Sequence, residues 1–191
     1  LILGLLVFGF FTSFGQRKMG EKIDHSEKRS INLLGSEAVN DTINPSVLPG
    51  CVTGPLLVGS ANGGYLRGTT GYGDKEKAQA LFDAGKGNVY SVLIAFGGKN
   101  GTGSGSFTAK VYDYTASGPG ALRSTSNAVS FANIDTTGSL TQFTFATPVS
   151  YEWEFFVSAV VDNGQSDSVG IYHTDGMCGG SSAWEMWSDN T

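Results

Sequence analysis

Few residues in this chain are equipped for chemistry, and most come in pairs or loose clusters. Glu152 and Glu154 lie two apart in the run YEWEFFVSAVV (residues 151–161), so an extended strand places both carboxylates on one face. A glycosidase could use such a pair as acid and base. The same alternation is more simply the wetted side of an amphipathic strand. Asp162, Asn163, Asp167 and Asp175 form a second group, in the loops around SVGIYHT. Oxygen-rich loops at the end of a β-sandwich can hold Ca²⁺, which takes six to eight oxygen ligands. Their spacing matches no EF-hand, however, and Asp-Asn-Gly is a turn signal in its own right.

Cys51 and Cys178 stand near the two ends of the region that carries the strands. In an exported protein they could pair, and closing so long a loop would add ~4 to 5 kcal/mol in the chain-entropy account. Neither has the setting of a catalytic thiol. The two histidines are His25, in a charged stretch, and His173, at what reads as a strand end. There is no G-x-S-x-G elbow, no HExxH, no paired CxxC and no P-loop, so the chain is expected not to be an enzyme and to need no cofactor. Tyr65, Tyr72, Trp184 and Trp187 are the stronger lead. They fall in loop-like or terminal segments, where an aromatic ring can stack on a sugar or dock a partner, although core packing is the ordinary fate of a tryptophan.

The elements that must position these residues are strands. In the run 151–161, Tyr151, Trp153, Phe155, Val157, Ala159 and Val161 alternate with the set that carries both glutamates, which predicts one half-buried strand. NVYSVLIAF (88–96) is nearly all apolar and reads as a central strand, and GGKNGTGSGS after it as a loop. SFTAKVYDY (106–114) and LTQFTFAT (140–147) alternate, residues 122–131 make a weaker strand pair, and AWEMW lies close to the end. KEKAQALFDA (75–84) fits either a short capped helix or a strand, with strand preferred. About eight strands with no long helical period predict an all-β, antiparallel, jelly-roll-like β-sandwich.

Composition bounds the rest. Of 191 residues, 15% are charged and 28 are glycine, which suits one β domain with tails. Residues 17–48 are electrically balanced, so the net charge of −5 falls on the domain. An acidic surface without a basic stripe disfavours nucleic acid. The apolar run LILGLLVFGFF is short for spanning a bilayer and is followed by Ser13 and Gly15 at cleavage-site spacing, so residues 1–15 read as a signal peptide trimmed at its start, the alternative being a retained buried strand or short hydrophobic anchor. Residues 16–48 read as a polar linker, and 49–191 as the sandwich. These expectations place the protein outside the cell or on its surface.

The order GYGDKEKAQALF, NVYSVLIAFGGK, FTAKVYD, IDTTGSLTQFTFATPV, EWEFFVSAV, DSVGIY and SSAWEMWSD resembles a β-sandwich module of exported Bacteroidetes proteins, many of which leave by the type IX route. In that group the module commonly precedes a C-terminal sorting domain. The resemblance implies no catalytic residues. It also implies O-glycosylation at Asp-Ser/Thr-aliphatic or Asp-Thr-Thr sites, of which Thr42 in the linker is the most accessible. Together these readings predict a non-enzymatic module for adhesion, carbohydrate binding or protein binding. The alternatives are an accessory domain of a larger secreted hydrolase, or a structural subunit that assembles through edge strands.

Overall fold

The computed structural model describes residues 2–6, 41–43, 57, 59, 63–65, 67–82, 85–162, 167–172 and 183–186. The described chain is all-β, with one turn of 3₁₀ helix at Phe131–Asn133 and no α-helix. In chain order the strands are β1 (Ile2–Leu6), β2 (Asp41–Ile43), β3 (Glu76–Leu81), β4 (Lys86–Ile94), β5 (Phe96–Asn100), β6 (Ser106–Thr115), β7 (Gly118–Thr125), β8 (Val129–Ser130), β9 (Thr141–Glu152), β10 (Phe155–Val160), β11 (Ser168–Ile171) and β12 (Ala183–Met186). No described helix is long and apolar enough to cross a membrane.

The strands form three sheets. One runs β2-β1-β4-β9, a second runs β12-β3-β10-β6-β7 with β8 beside β6, and β11 pairs β5 as a third. All pairings are antiparallel except those of β1, which lies parallel to both β2 and β4. Thus part of the expected leader and part of the expected linker, Ile2–Leu6 and Asp41–Ile43, are strands of the first sheet. The ambiguous segment 75–84 contains strand β3, as preferred, because its register with β10 buries Leu81 opposite Phe155. GGKNGTGSGS differs from the loop expected of it. Its first four residues belong to β5, and only the residues from Gly101 to Gly105 connect to β6.

One apolar cluster draws on all three sheets: Val89, Val92 and Ile94 of β4, Phe143, Phe145, Val149 and Tyr151 of β9, Val111 of β6, Phe155 and Val157 of β10, and Phe96, Val169 and Ile171 from β5 and β11. A shared core of this kind is consistent with sandwich packing. A second cluster lies on the other face of β10, where Phe156 meets Ala78, Ala80 and Tyr112, with Phe82, Tyr114 and Trp184 packed around them. β10 is therefore covered on both sides, and not half-buried as its alternation predicts.

The run 151–161 is also not one strand. β9 ends at Glu152, the chain turns at Trp153, and β10 begins at Phe155. This turn carries the chain from the first sheet to the second. Tyr151 and Phe155 are buried as expected, their rings 4.6 Å apart, whereas Trp153 between them is 59% exposed. Nothing in the residue types marks the break, since Glu-Trp-Glu lacks the glycine, asparagine or proline that usually makes a hairpin turn.

Candidate functional site

Three departures from regular backbone converge at the end of the domain where β9 passes into β10. The first is Trp153 itself, at φ 65, the only described non-glycine residue with a positive φ. The Glu154 amide donates to the Glu152 carbonyl at 2.8 Å, closing a γ-turn with Trp153 at its centre, and the Trp153 amide donates to Gly85. A bulky residue held in this conformation costs about 1–3 kcal/mol, an outlier of the kind that clusters at ligand sites. The second is a bulge in β7. Val111 pairs Ser124 and Tyr112 pairs Leu122, which leaves Arg123 as the extra residue. Bulges re-aim side chains, and the Arg123 guanidinium reaches Asp113 at 2.7 Å. The third is in β9, where the register against β4 slips between Val89 and Ser91 and the chain passes through Pro148, which has no amide to donate.

Beside the β7 bulge and the residues flanking the turn lies a cleft of about 540 Å³, lined by Lys86, Gly87 and Asn88 of β4, Val111, Tyr112 and Asp113 of β6, Arg123, the β9 residues Ser150, Tyr151 and Glu152, and Glu154 with Phe155. Its floor is the end of the apolar core and its walls are polar. Lys86 pairs with Glu152 at 3.0 Å and Arg123 with Asp113 at 2.7 Å, all four side chains being well exposed. Exposed pairs of this kind hold with only about 0–1 kcal/mol, so a ligand can displace them. The Glu154 carboxylate makes no hydrogen bond or ion pair among the described residues. Tyr112 faces elsewhere: burial, and then its hydrogen bond to Glu76 and the charge of Glu76, push its phenol well above the usual tyrosine range.

The residues singled out from sequence are dispersed. Tyr65 packs over β5 and β11, so close that a side chain at Gly98 or Gly170 would strike its ring. Trp184 meets Phe156 edge-on at 6.3 Å and lies against Gly118, where a β-carbon would stand 3.1 Å from the indole. These contacts leave it half-buried. Tyr72 is 59% exposed in a turn, remote in sequence from every cleft residue. Thr42 is exposed on β2.

Of the proposed calcium ligands, Asp162 is exposed and Asp167 is fully buried. Asp167 accepts from the Gly103 amide at 2.8 Å, from the Gly105 amide, and from the Thr102 hydroxyl at 3.2 Å. Burial drives its pKa up, but these donors outweigh that and hold the carboxyl below the ordinary range. The donors account for the buried charge without a cation. Among the described residues no three His, Cys, Asp or Glu side chains stand together as a metal site. Trp187, Asn163, Asp175, Cys51 and Cys178 lie outside the described residues.

Sequence reasoning missed Trp153 as a site residue because its period assigned the ring to the core. Arg123 was equally hidden, since a bulge has no residue signature here. Glu152 and Glu154 were noticed, though as the two ends of a strand repeat and not as the flanks of a turn. No family model, no curated protein and no solved structure matches the chain.

Proposed function

We propose that this protein is a non-enzymatic, exported β-sandwich module that binds a glycan in the cleft beside the β9–β10 turn. The observation that carries the reading is Trp153: an indole left 59% exposed and kept at φ 65, between Glu152 and Glu154, which both line the polar cleft. An apolar ring presented to water at a cost in backbone strain suits stacking on the face of a pyranose. Asn88, Ser150 and the paired ions Lys86–Glu152 and Arg123–Asp113 are the mix of donors and acceptors that sugar hydroxyls require. Export is the expectation from the apolar leader.

Binding is favoured over hydrolysis on physical grounds. A glycosidase acid needs a carboxyl kept protonated by an apolar setting. The side chains of Asp113 and Glu152 are 46% and 69% exposed, and Glu154 is exposed as well. Water reaches all three, so none has such an apolar setting.

The test is a glycan array followed by calorimetry. Wild-type protein is expected to give hits that Trp153→Ala weakens at least tenfold with no fall in melting temperature, and no reducing ends should accumulate from bound oligosaccharides. Trp184→Ala is expected to lower the melting temperature while leaving the affinity of the folded fraction unchanged. Undiminished binding by Trp153→Ala, or release of reducing ends, would overturn the reading.

A further inference from the structure

We infer that the cleft selects glycans bearing a free amine over N-acylated or acidic ones, with Glu154 as the specificity-determining residue. The inference rests on the glycan reading above. Its starting point is the charge lining the cleft, where the two cations Lys86 and Arg123 face three carboxylates, Asp113, Glu152 and Glu154. Each cation already has an acidic partner, Glu152 for Lys86 and Asp113 for Arg123. Glu154 is the charge left over, without a side-chain partner among the described residues.

Its position adds a second reason. Glu154 follows Trp153 directly, and the γ-turn hydrogen bond between the Glu154 amide and the Glu152 carbonyl ties the indole and the carboxylate to one short, rigid piece of backbone. An ammonium group held at Glu154 therefore lies beside the residue that carries the exposed indole, and a carboxylate and a π face both attract it. An acidic sugar would meet three carboxylates against two cations, and the unmatched charge of Glu154 disfavours it. An N-acetyl group can stack on Trp153 but offers Glu154 only a neutral amide. Amino sugars such as glucosamine oligomers have the required chemistry: hydroxyls for the polar walls, a pyranose face for the indole, and a protonated amine for Glu154.

Three probes of equal length test this against the whole chain: a glucosamine oligomer, the corresponding N-acetylglucosamine oligomer and an oligogalacturonate, each titrated into wild-type protein and Glu154→Gln. The glucosamine oligomer is expected to bind about fivefold more tightly than the acetylated one, as one solvent-exposed ion pair of about 1 kcal/mol would give. Glu154→Gln should remove that preference and leave the acetylated oligomer unaffected. The preference should also shrink with added salt, and as the pH rises through the amine's own pKa. Equal binding of the amine and acetyl forms, or a preference that survives Glu154→Gln, would overturn the inference while leaving a glycan site in place. Tightest binding of the oligogalacturonate would do the same. Failure of all three probes to bind would instead count against the glycan reading itself.

Discussion

Two carboxylates at opposite ends of β6 have contrary environments. Asp167 lies by the start of the strand, under the loop from Gly101 to Gly105, and Glu154 lies by Asp113 near its far end. At about 3.3 Å per residue the two regions are separated by roughly 23 Å along β6. Asp167 is buried and saturated with donors from Thr102, Gly103 and Gly105. Glu154 is exposed and has no side-chain partner among the described residues. The first carboxylate is spent on holding a glycine-rich loop in one conformation, so it has no capacity left for a ligand. The second is supported only by a strained turn and keeps its capacity. An acidic residue in a loop is therefore a poor guide to binding until its hydrogen-bond partners are known, because a loop with few apolar contacts often uses a buried carboxylate as its own core.

The contrast can be broken most severely at the saturated end. Asp167→Ala leaves two backbone amides and a hydroxyl facing an empty buried space, so the melting temperature should fall by many degrees, with the loss of amide exchange protection centred on Gly103 and Gly105. The same clasp should respond to acid. Since the folded pKa of Asp167 is lowered, its stabilisation is complete above the unfolded carboxyl value and is lost as pH falls through the folded one. Melting curves across the acid range should show the wild type losing stability there and Asp167→Ala losing less. A pH-independent difference between the two proteins would show that the carboxylate charge is not what holds the loop.

The exposed end should behave in the opposite sense. Trp153→Gly removes a side chain that buries little and relieves a left-handed conformation that glycine adopts freely, so it should raise stability by about 1 kcal/mol while abolishing binding. Gain of stability with loss of function is the mark of a strained ligand site. A clear fall in stability would mean that the indole is structural after all. The smallest effect is expected from the Asp113–Arg123 pair on the cleft wall. A double-mutant cycle with alanine at both positions should give a coupling of about 0.2–1 kcal/mol. A larger value would mean that the pair is rigid and not displaceable by a ligand.

Much of the architecture is legible from residue order alone. Alternation in 106–114 and 140–147 marks β6 and β9, and the nearly all-apolar run 88–96 marks most of β4, although it runs past the strand's end at Ile94 to Phe96, the first residue of β5. Period-2 patterning works there because each strand has one face that must leave water. It fails around Trp153, where three aromatic rings keep the strand period across a turn, so the pattern looks intact while the chain passes from one sheet to another. It fails again at Trp184, whose place near the end of the chain looks peripheral although β12 returns to pair with β3 and sets the indole against Phe156. The sequence flags Asp167 as a possible ligand because it records only that the residue is acidic and in a loop.

Residue types and spacing by themselves determined that this chain is all-β in its folded part and acidic in balance. They do so because solvent sorts side chains by polarity at the local period of the backbone. Tertiary structure alone decided which aromatic ring stays in water, which carboxylate is already satisfied, and that Lys86, Asp113, Arg123 and Glu154 share one cleft. Those outcomes depend on a bulge, a register slip and one left-handed residue, small displacements whose cost is met by contacts far away in the chain, and no local pattern encodes them.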